Sequence, residues 1–137
     1  MNDTDRGPSS LLLDLSLSSS LELWRSFEEA SEQAERLGCD GRVFWVYVVE
    51  LGNHLNLDKP EAPTVWVGQT HLEPAERLAQ HRNGHRADPR VAMDGTALRT
   101  DLFQKQPELR TRQEADTYQA LLAETLNNNG YSVYVEA

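Results

Sequence analysis

The sequence contains little cysteine and no long apolar segment. Cys39 is its only cysteine, which excludes an intrachain disulfide and any metal site built from several thiolates. The longest apolar run covers residues 43–49 and is far shorter than the ~20 residues that cross a bilayer. No basic segment followed by an apolar stretch and a small-residue cleavage site opens the chain. These absences, in a chain of 137 residues, predict one soluble, cytoplasmic domain with no membrane partner.

Positive charge is also scarce. The chain has 13 Lys and Arg against 22 Asp and Glu, and a net charge of −9 argues against indiscriminate binding to nucleic acid. Residues 65–112 differ from the rest, because they hold eight of the basic side chains against six acidic ones. This segment is either a localised phosphate-binding surface or an ordinary solvated one.

The N-terminal residues are polar and are interrupted by Gly7 and Pro8, so we expect residues 1–19 to form a flexible segment. Within it, leucine alternates with polar residues, which suits a short strand at residues 11–20. A single domain is predicted over residues 20–137, beginning with an acidic helix at about residues 20–37. This extra helix either covers a sheet face or binds a protein partner or a second copy of the chain.

The remaining elements follow from apolar periodicity and from proline and glycine positions. Strands are expected where Val and aromatic residues concentrate or alternate, at residues 42–51, 64–70, 98–103 and 131–135. Further helices are expected at residues 74–83 and 111–129, a loop at 52–63, and no regular element at 85–96. The first two of these strands should pair antiparallel. The pattern predicts an α+β fold with a small, mainly antiparallel central sheet flanked by helices.

One constellation of residues runs through these elements. It consists of Tyr47 in a strand, the segment 65–70 at the end of the next strand, Arg77 and His81 on a helix, Glu114-Ala115 opening a longer helix, and Gly130-Tyr131 after it. Over roughly residues 43–135 this pattern resembles the GIY-YIG nuclease family. The resemblance implies a GIY-YIG-like sandwich and a DNA endonuclease that hydrolyses phosphodiester bonds with a single divalent ion, Mg²⁺ or Mn²⁺.

The chemistry of these residue types suits phosphodiester cleavage. Arg77 and His81 are four residues apart, so on a helix their side chains share a face. An arginine offers a planar, permanently charged fork to phosphate oxygens, and a histidine can orient water or carry a proton near neutral pH. The phenolic oxygen of Tyr47 could contact the same water.

The resemblance assigns roles to particular residues, which we expect to line one concave site. It implies a catalytic set of Tyr47, Arg77, His81 and Gln119, in which Gln119 is the metal ligand. It implies a substrate-binding set of Trp66, Gly68, Gln69, Thr70, His85 and Arg86.

Two positions depart from the family pattern. Trp66 replaces the second tyrosine of the signature and has no hydroxyl. Gln119 stands where the family has its metal-binding glutamate, and a neutral amide holds a hard cation less well than a carboxylate does. Either the glutamate was lost naturally, or Gln119 is a substitution that traps an inactive enzyme. The alternative function is therefore a catalytically degenerate nuclease-fold module that binds nucleic acid or a protein partner.

Overall fold

The computed structural model describes residues 21–52 and 63–136. The flexible segment and the strand predicted within residues 1–20, and nearly all of the loop predicted at 52–63, lie outside the described residues. The described helices are α1 (Leu21–Arg36), α2 (Pro74–Arg82), α3 (Pro89–Asp94), α4 (Thr100–Phe103) and α5 (Arg112–Asn128). The strands are β1 (Trp45–Leu51), β2 (Thr64–Thr70), β3 (Gly95–Leu98) and β4 (Ser132–Val135). None of these helices is long and apolar enough to span a membrane.

The four strands form one sheet in the order β3-β1-β2-β4. β1 pairs antiparallel with β2 along its whole length, from Trp45 opposite Thr70 to Leu51 opposite Thr64. β3 also runs antiparallel to β1, whereas β4 runs parallel to β2. The sheet is thus mixed but mainly antiparallel, and helices flank it. The predicted α+β class is confirmed.

The register of β1 and β2 decides which side chains share a face of the sheet. Tyr47 lies opposite Gly68, and side chains alternate between faces along each strand. Trp66 therefore shares the face of Tyr47, and we call this side the Tyr47 face. Gln69 points to the other side, which we call the Gln69 face.

Helices cover both faces of the sheet. The Tyr47 face is covered by α2 and α3, since His81 of α2 contacts Tyr47 and Arg90 of α3 stacks on Tyr134 of β4. The Gln69 face is covered by α5, whose Gln119 accepts a hydrogen bond from Gln69. α1 packs on the outside of α5, with the Phe27 ring 5.8 Å from that of Tyr118.

The expected strand at residues 98–103 is wrong. Leu98 ends β3, and after Arg99 the chain forms the short helix α4. Leu102 and Phe103 are consecutive and both buried, which a helical turn allows and a half-exposed strand does not. The first strand is also shorter than expected, because it begins at Trp45.

The helix α3 lies in the region where no regular element was expected. Its six residues are too few to reveal a helical period in the sequence. Its start is nevertheless encoded locally, because the Asp88 carboxylate accepts a hydrogen bond from the Arg90 amide and Pro89 occupies the first turn.

Candidate functional site

Tyr47 and His81 form a hydrogen-bonded pair inside the protein. The Tyr47 hydroxyl oxygen lies 2.8 Å from Nε2 of His81. Strand β1 places the phenol, and the last turn of α2 places the imidazole above it. Their exposed fractions are 0% and 1%, so neither side chain reaches the protein surface in this conformation.

A backbone amide determines the tautomer of His81. The Asp88 amide donates to Nδ1 of His81 at 3.2 Å, and a backbone N–H can only donate. Nδ1 is therefore the unprotonated nitrogen, and in the neutral ring Nε2 carries the proton. It follows that His81 donates to the hydroxyl oxygen of Tyr47.

Both groups of this pair are neutral near pH 7. Burial, and then the positive charge of Arg77, lower the pKa of His81 to about 4, although Asp88 opposes them. Burial and then the Glu136 carboxylate raise the pKa of the Tyr47 phenol, while Arg77 acts in the opposite direction. As placed here, the pair can donate and accept hydrogen bonds but supplies neither a phenolate nor an imidazolium.

Arg77 lies beside this pair and is held by the backbone that follows α2. Its guanidinium donates to the carbonyl oxygens of His85 at 3.2 Å and of Arg86 at 2.8 Å. We call residues 83–88 the covering turn, because they hold Arg77 at one end and His81 at the other. Arg86 is strained within it, since its φ of 49° lies in the left-handed region that non-glycine residues disfavour.

Trp66 fills the space between the phenol and the imidazole. Its ring centroid lies 5.6 Å from that of Tyr47 and 5.1 Å from that of His81. A Cβ at position 68 would fall 2.5 Å from the Trp66 ring, so Gly68 makes room for an indole rather than for a substrate. Among the described residues the buried indole Nε1 meets no acceptor at full hydrogen-bond geometry. It nevertheless lies close enough to Asp88 to help Arg90 to lower the pKa of that carboxyl group, which burial would raise.

Gln119 lies on the opposite side of the sheet from this group. Its amide oxygen accepts a hydrogen bond from Gln69 Nε2 at 2.8 Å, and the same nitrogen donates to Asp116 at 2.7 Å. The Gln69 backbone amide donates to Glu136, which joins these residues in a hollow at the end of the sheet. The structure thus brings Tyr47, Arg77 and His81 together and does not bring Gln119 to them.

The remaining expected substrate-binding residues are dispersed. Thr70 is buried at the end of β2, where its hydroxyl accepts the Leu72 amide. His85 and Arg86 are exposed on the covering turn. Of Thr70, His85 and Arg86, the last two can contact a ligand from solvent without a change of conformation.

Two acidic residues that the sequence analysis did not name act at these places. Asp88 positions His81 through its amide, and the Asp-Pro pair that begins α3 was the available signal for it. The negative charge of Glu136 raises the pKa of Tyr47, and its carboxylate accepts a hydrogen bond from the Gln69 backbone amide. Glu136 thus links the two faces of the sheet. Nothing in the sequence distinguished Glu136, because its position depends on the parallel pairing of β4 with β2.

The residues of the expected catalytic set, Tyr47, Arg77, His81 and Gln119, offer no carboxylate to a divalent ion of the family type. Among the described residues, no group of three His, Cys, Asp or Glu side chains could hold a metal ion. The one side-chain oxygen that Gln119 could offer to a metal already accepts a hydrogen bond from the side-chain amide of Gln69. This oxygen also lies across the sheet from Arg77. An ion held by Gln119 would therefore be separated from a phosphate held by Arg77.

Comparisons of the chain with protein-family models, with curated proteins and with solved structures found no match. The likeness to the GIY-YIG family therefore rests on the residues and spacings described above.

Proposed function

We propose that this chain is a nucleic-acid-binding module that is related to GIY-YIG nucleases and has lost catalysis. One observation carries the proposal: the sheet separates Gln119 from Tyr47, Arg77 and His81. Cleavage requires charge-stabilising groups and a proton-transfer group around one phosphate. Groups on opposite faces of a sheet are poorly placed to act on one scissile bond.

The binding part of the proposal is supported by the arginines at the end of α2. Arg90, Arg99 and Arg110 are ion-paired with carboxylates. By contrast, the Arg82 guanidinium donates to the Thr96 carbonyl oxygen, and Arg86 is exposed. A carbonyl oxygen does not neutralise a guanidinium, and neither arginine is ion-paired within the part of the chain that the structure describes. This end of the molecule therefore suits a phosphate backbone despite the net charge of −9.

The grouping of Tyr47, Arg77 and His81 favours a second candidate, a DNA endonuclease that uses one Mg²⁺ or Mn²⁺. In that function Arg77 would neutralise charge on the phosphoryl oxygens, and the Tyr47 hydroxyl would hydrogen-bond to the phosphate or to water. Both roles require the covering turn to move, since the phenol is buried.

Cleavage and binding assays separate the two candidates. We expect labelled single-stranded and duplex DNA to bind without cleavage in Mg²⁺ or Mn²⁺. The decisive variant is Gln119→Glu combined with Trp66→Tyr, which restores both family residues. If Gln119 is on the wrong face, this variant binds DNA and leaves it intact.

Metal-dependent cleavage by the double variant would contradict the proposal of a binding module and would support the endonuclease. Arg77→Ala in the same background is the control, because true cleavage at this site should then fall about 10²–10³-fold, the usual cost of removing one charge-stabilising group. If DNA neither binds nor is cleaved at low salt, both candidates are wrong.

α1 is the element we propose for contact with a protein partner or a second copy of the chain. It buries Ala30 and Ala34, which leaves an outer face bearing exposed glutamates such as Glu28 and Glu32. Sedimentation of the full chain at low and high salt tests the case of a second copy: the two acidic faces repel each other, so a dimer through α1 should become more populated as salt screens that repulsion.

A further inference from the structure

The covering turn occupies the same hydrogen-bond donors that a phosphate would use. Arg77 lies beside the buried Tyr47–His81 pair, and its guanidinium donates to two carbonyl oxygens of the turn and to the Gln80 side chain. A phosphate oxygen is a stronger partner for a guanidinium than a carbonyl oxygen, because that bond is assisted by charge on both sides. A phosphate that takes the N–H groups bound to the turn therefore competes with the closed arrangement at Arg77.

The turn is held by backbone hydrogen bonds to α2 and by three contacts with the site residues. Two of these join Arg77 to the carbonyl oxygens of His85 and Arg86, and the third is the hydrogen bond from the Asp88 amide to Nδ1 of His81. Loss of the two Arg77 contacts loosens the turn, and the third contact must also break before the turn leaves the site. Whether the Asp88 amide keeps this hydrogen bond therefore shows whether the turn has left the Tyr47–His81 pair.

One feature makes the closed turn easier to displace. Arg86 has a φ of 49°, which its side chain disfavours, so opening the turn relieves strain.

We propose that the covering turn is a gate, and that a phosphate group opens it by taking Arg77 from the two carbonyl oxygens. The inference rests on the proposed function, since it needs a nucleic-acid phosphate as the ligand. Opening exposes the hydroxyl proton of Tyr47 and the indole N–H of Trp66 as further donors to the same phosphate. The affinity of the protein for DNA is then lowered by the fraction of molecules in which the gate is closed.

Amide hydrogen exchange on the full chain tests the gate, with a short single-stranded DNA as the probe. Saturating DNA should accelerate exchange of the Asp88 amide at least tenfold and leave the Val48 amide in the centre of the sheet unchanged. If DNA binds while Asp88 exchange stays constant or slows, the gate is wrong and the binding proposal survives. If DNA does not bind at low salt, the proposed function and the gate fall together.

A matched pair of variants at Arg86 tests the strain without relying on binding. Arg86→Asn and Arg86→Ala remove the same charge, but Asn adopts the left-handed region more readily than Ala. The Ala variant should therefore exchange its Asp88 amide about three- to fivefold faster than the Asn variant, and should bind DNA more tightly by a similar factor. Equal exchange rates in the two variants would overturn the gate.

Discussion

At the scale of single residues, the hydrogen bond from the Asp88 amide to His81 controls the chemistry of the buried pair. A free imidazole could accept the proton of Tyr47 and act as its base. Here Nδ1 is occupied by a donor, so Nε2 keeps its proton and points it at the phenol. The residue identities alone suggest acid–base catalysis, whereas the hydrogen-bond geometry gives a neutral donor.

The role of this amide can be tested by comparing Asp88→Pro with Asp88→Ala. Both remove the carboxylate that caps α3, but only proline removes the backbone N–H. The φ of Asp88, −74°, is compatible with proline. We expect Asp88→Pro to give a mixture of the two His81 tautomers and to raise the pKa of His81 above its value in Asp88→Ala. The reason is that a proton on Nδ1 would no longer face the backbone N–H of residue 88. Nitrogen NMR of His81 measures both quantities.

Asp88→Ala is the control and should keep the wild-type tautomer. If the Pro and Ala variants gave the same tautomer and the same pKa, the amide would not be the determinant. Because the pKa of His81 is about 4 in the folded protein against 6.5 for an ordinary histidine, the folded state should also lose stability as pH falls through that range.

At the scale of elements, a buried carboxylate in the first turn of α5 fixes the position of this helix. Glu114 is 2% exposed and accepts hydrogen bonds from the Arg110 backbone amide and guanidinium. Arg110 also reaches Glu35 on α1, so one arginine joins the two packed helices. Burial would raise the pKa of Glu114, but its bonds to Arg110 hold it below the ordinary value.

We expect Glu114→Gln to lower the free energy of unfolding by about 1.5–3 kcal/mol, the usual worth of a hydrogen bond to a charged group. Because the folded pKa of Glu114 is depressed, its contribution is present above the unfolded value and is lost as pH falls below it. The variant should therefore show a smaller loss of stability in acid than the wild type. Urea unfolding at neutral and acid pH measures both effects.

Glu35→Gln is the matched control, because Glu35 contacts the same arginine from an exposed position. An exposed ion pair contributes about 0–1 kcal/mol, so this variant should change stability little. Equal losses in the two variants would mean that burial of Glu114 contributes nothing.

The sequence predicted the elements whose apolar pattern is long and regular. β2 spans Thr64–Thr70 as expected, and α5 differs from its expected range by one residue at each end. Short elements were missed, because α3 and α4 contain too few residues to show a period. In the sequence, α3 is marked only by a helix cap and α4 only by two adjacent apolar residues. Both features are common in loops as well.

At the scale of the whole molecule, the sequence could place Tyr47, Arg77 and His81 together but could not place Gln119. The first three depend on one strand and the next helix, so local spacing suffices. The position of Gln119 depends on the face to which Gln69 points, and a slip of one residue in the pairing of β1 with β2 would reverse it. Register is a property of the assembled sheet, which the sequence motif does not specify.

The distribution of charge over the molecule leads to the last prediction. Arg90, Arg99 and Arg110 in the basic segment are ion-paired with carboxylates, whereas Arg82 and Arg86 at the end of α2 have no ion pair among the described residues. Binding to single-stranded DNA should therefore involve few phosphates, and each arginine–phosphate contact should contribute about −0.7 to the slope of log affinity against log salt. Arg82→Ala should make the measured slope shallower by roughly that amount.

Arg99→Ala removes the same charge from a residue that is paired with Asp101, so it should leave the slope unchanged. Fluorescence anisotropy across a salt series measures both slopes. If Arg99→Ala lowered the slope as much as Arg82→Ala, the DNA would be held by diffuse charge, and the end of α2 would not be its binding surface.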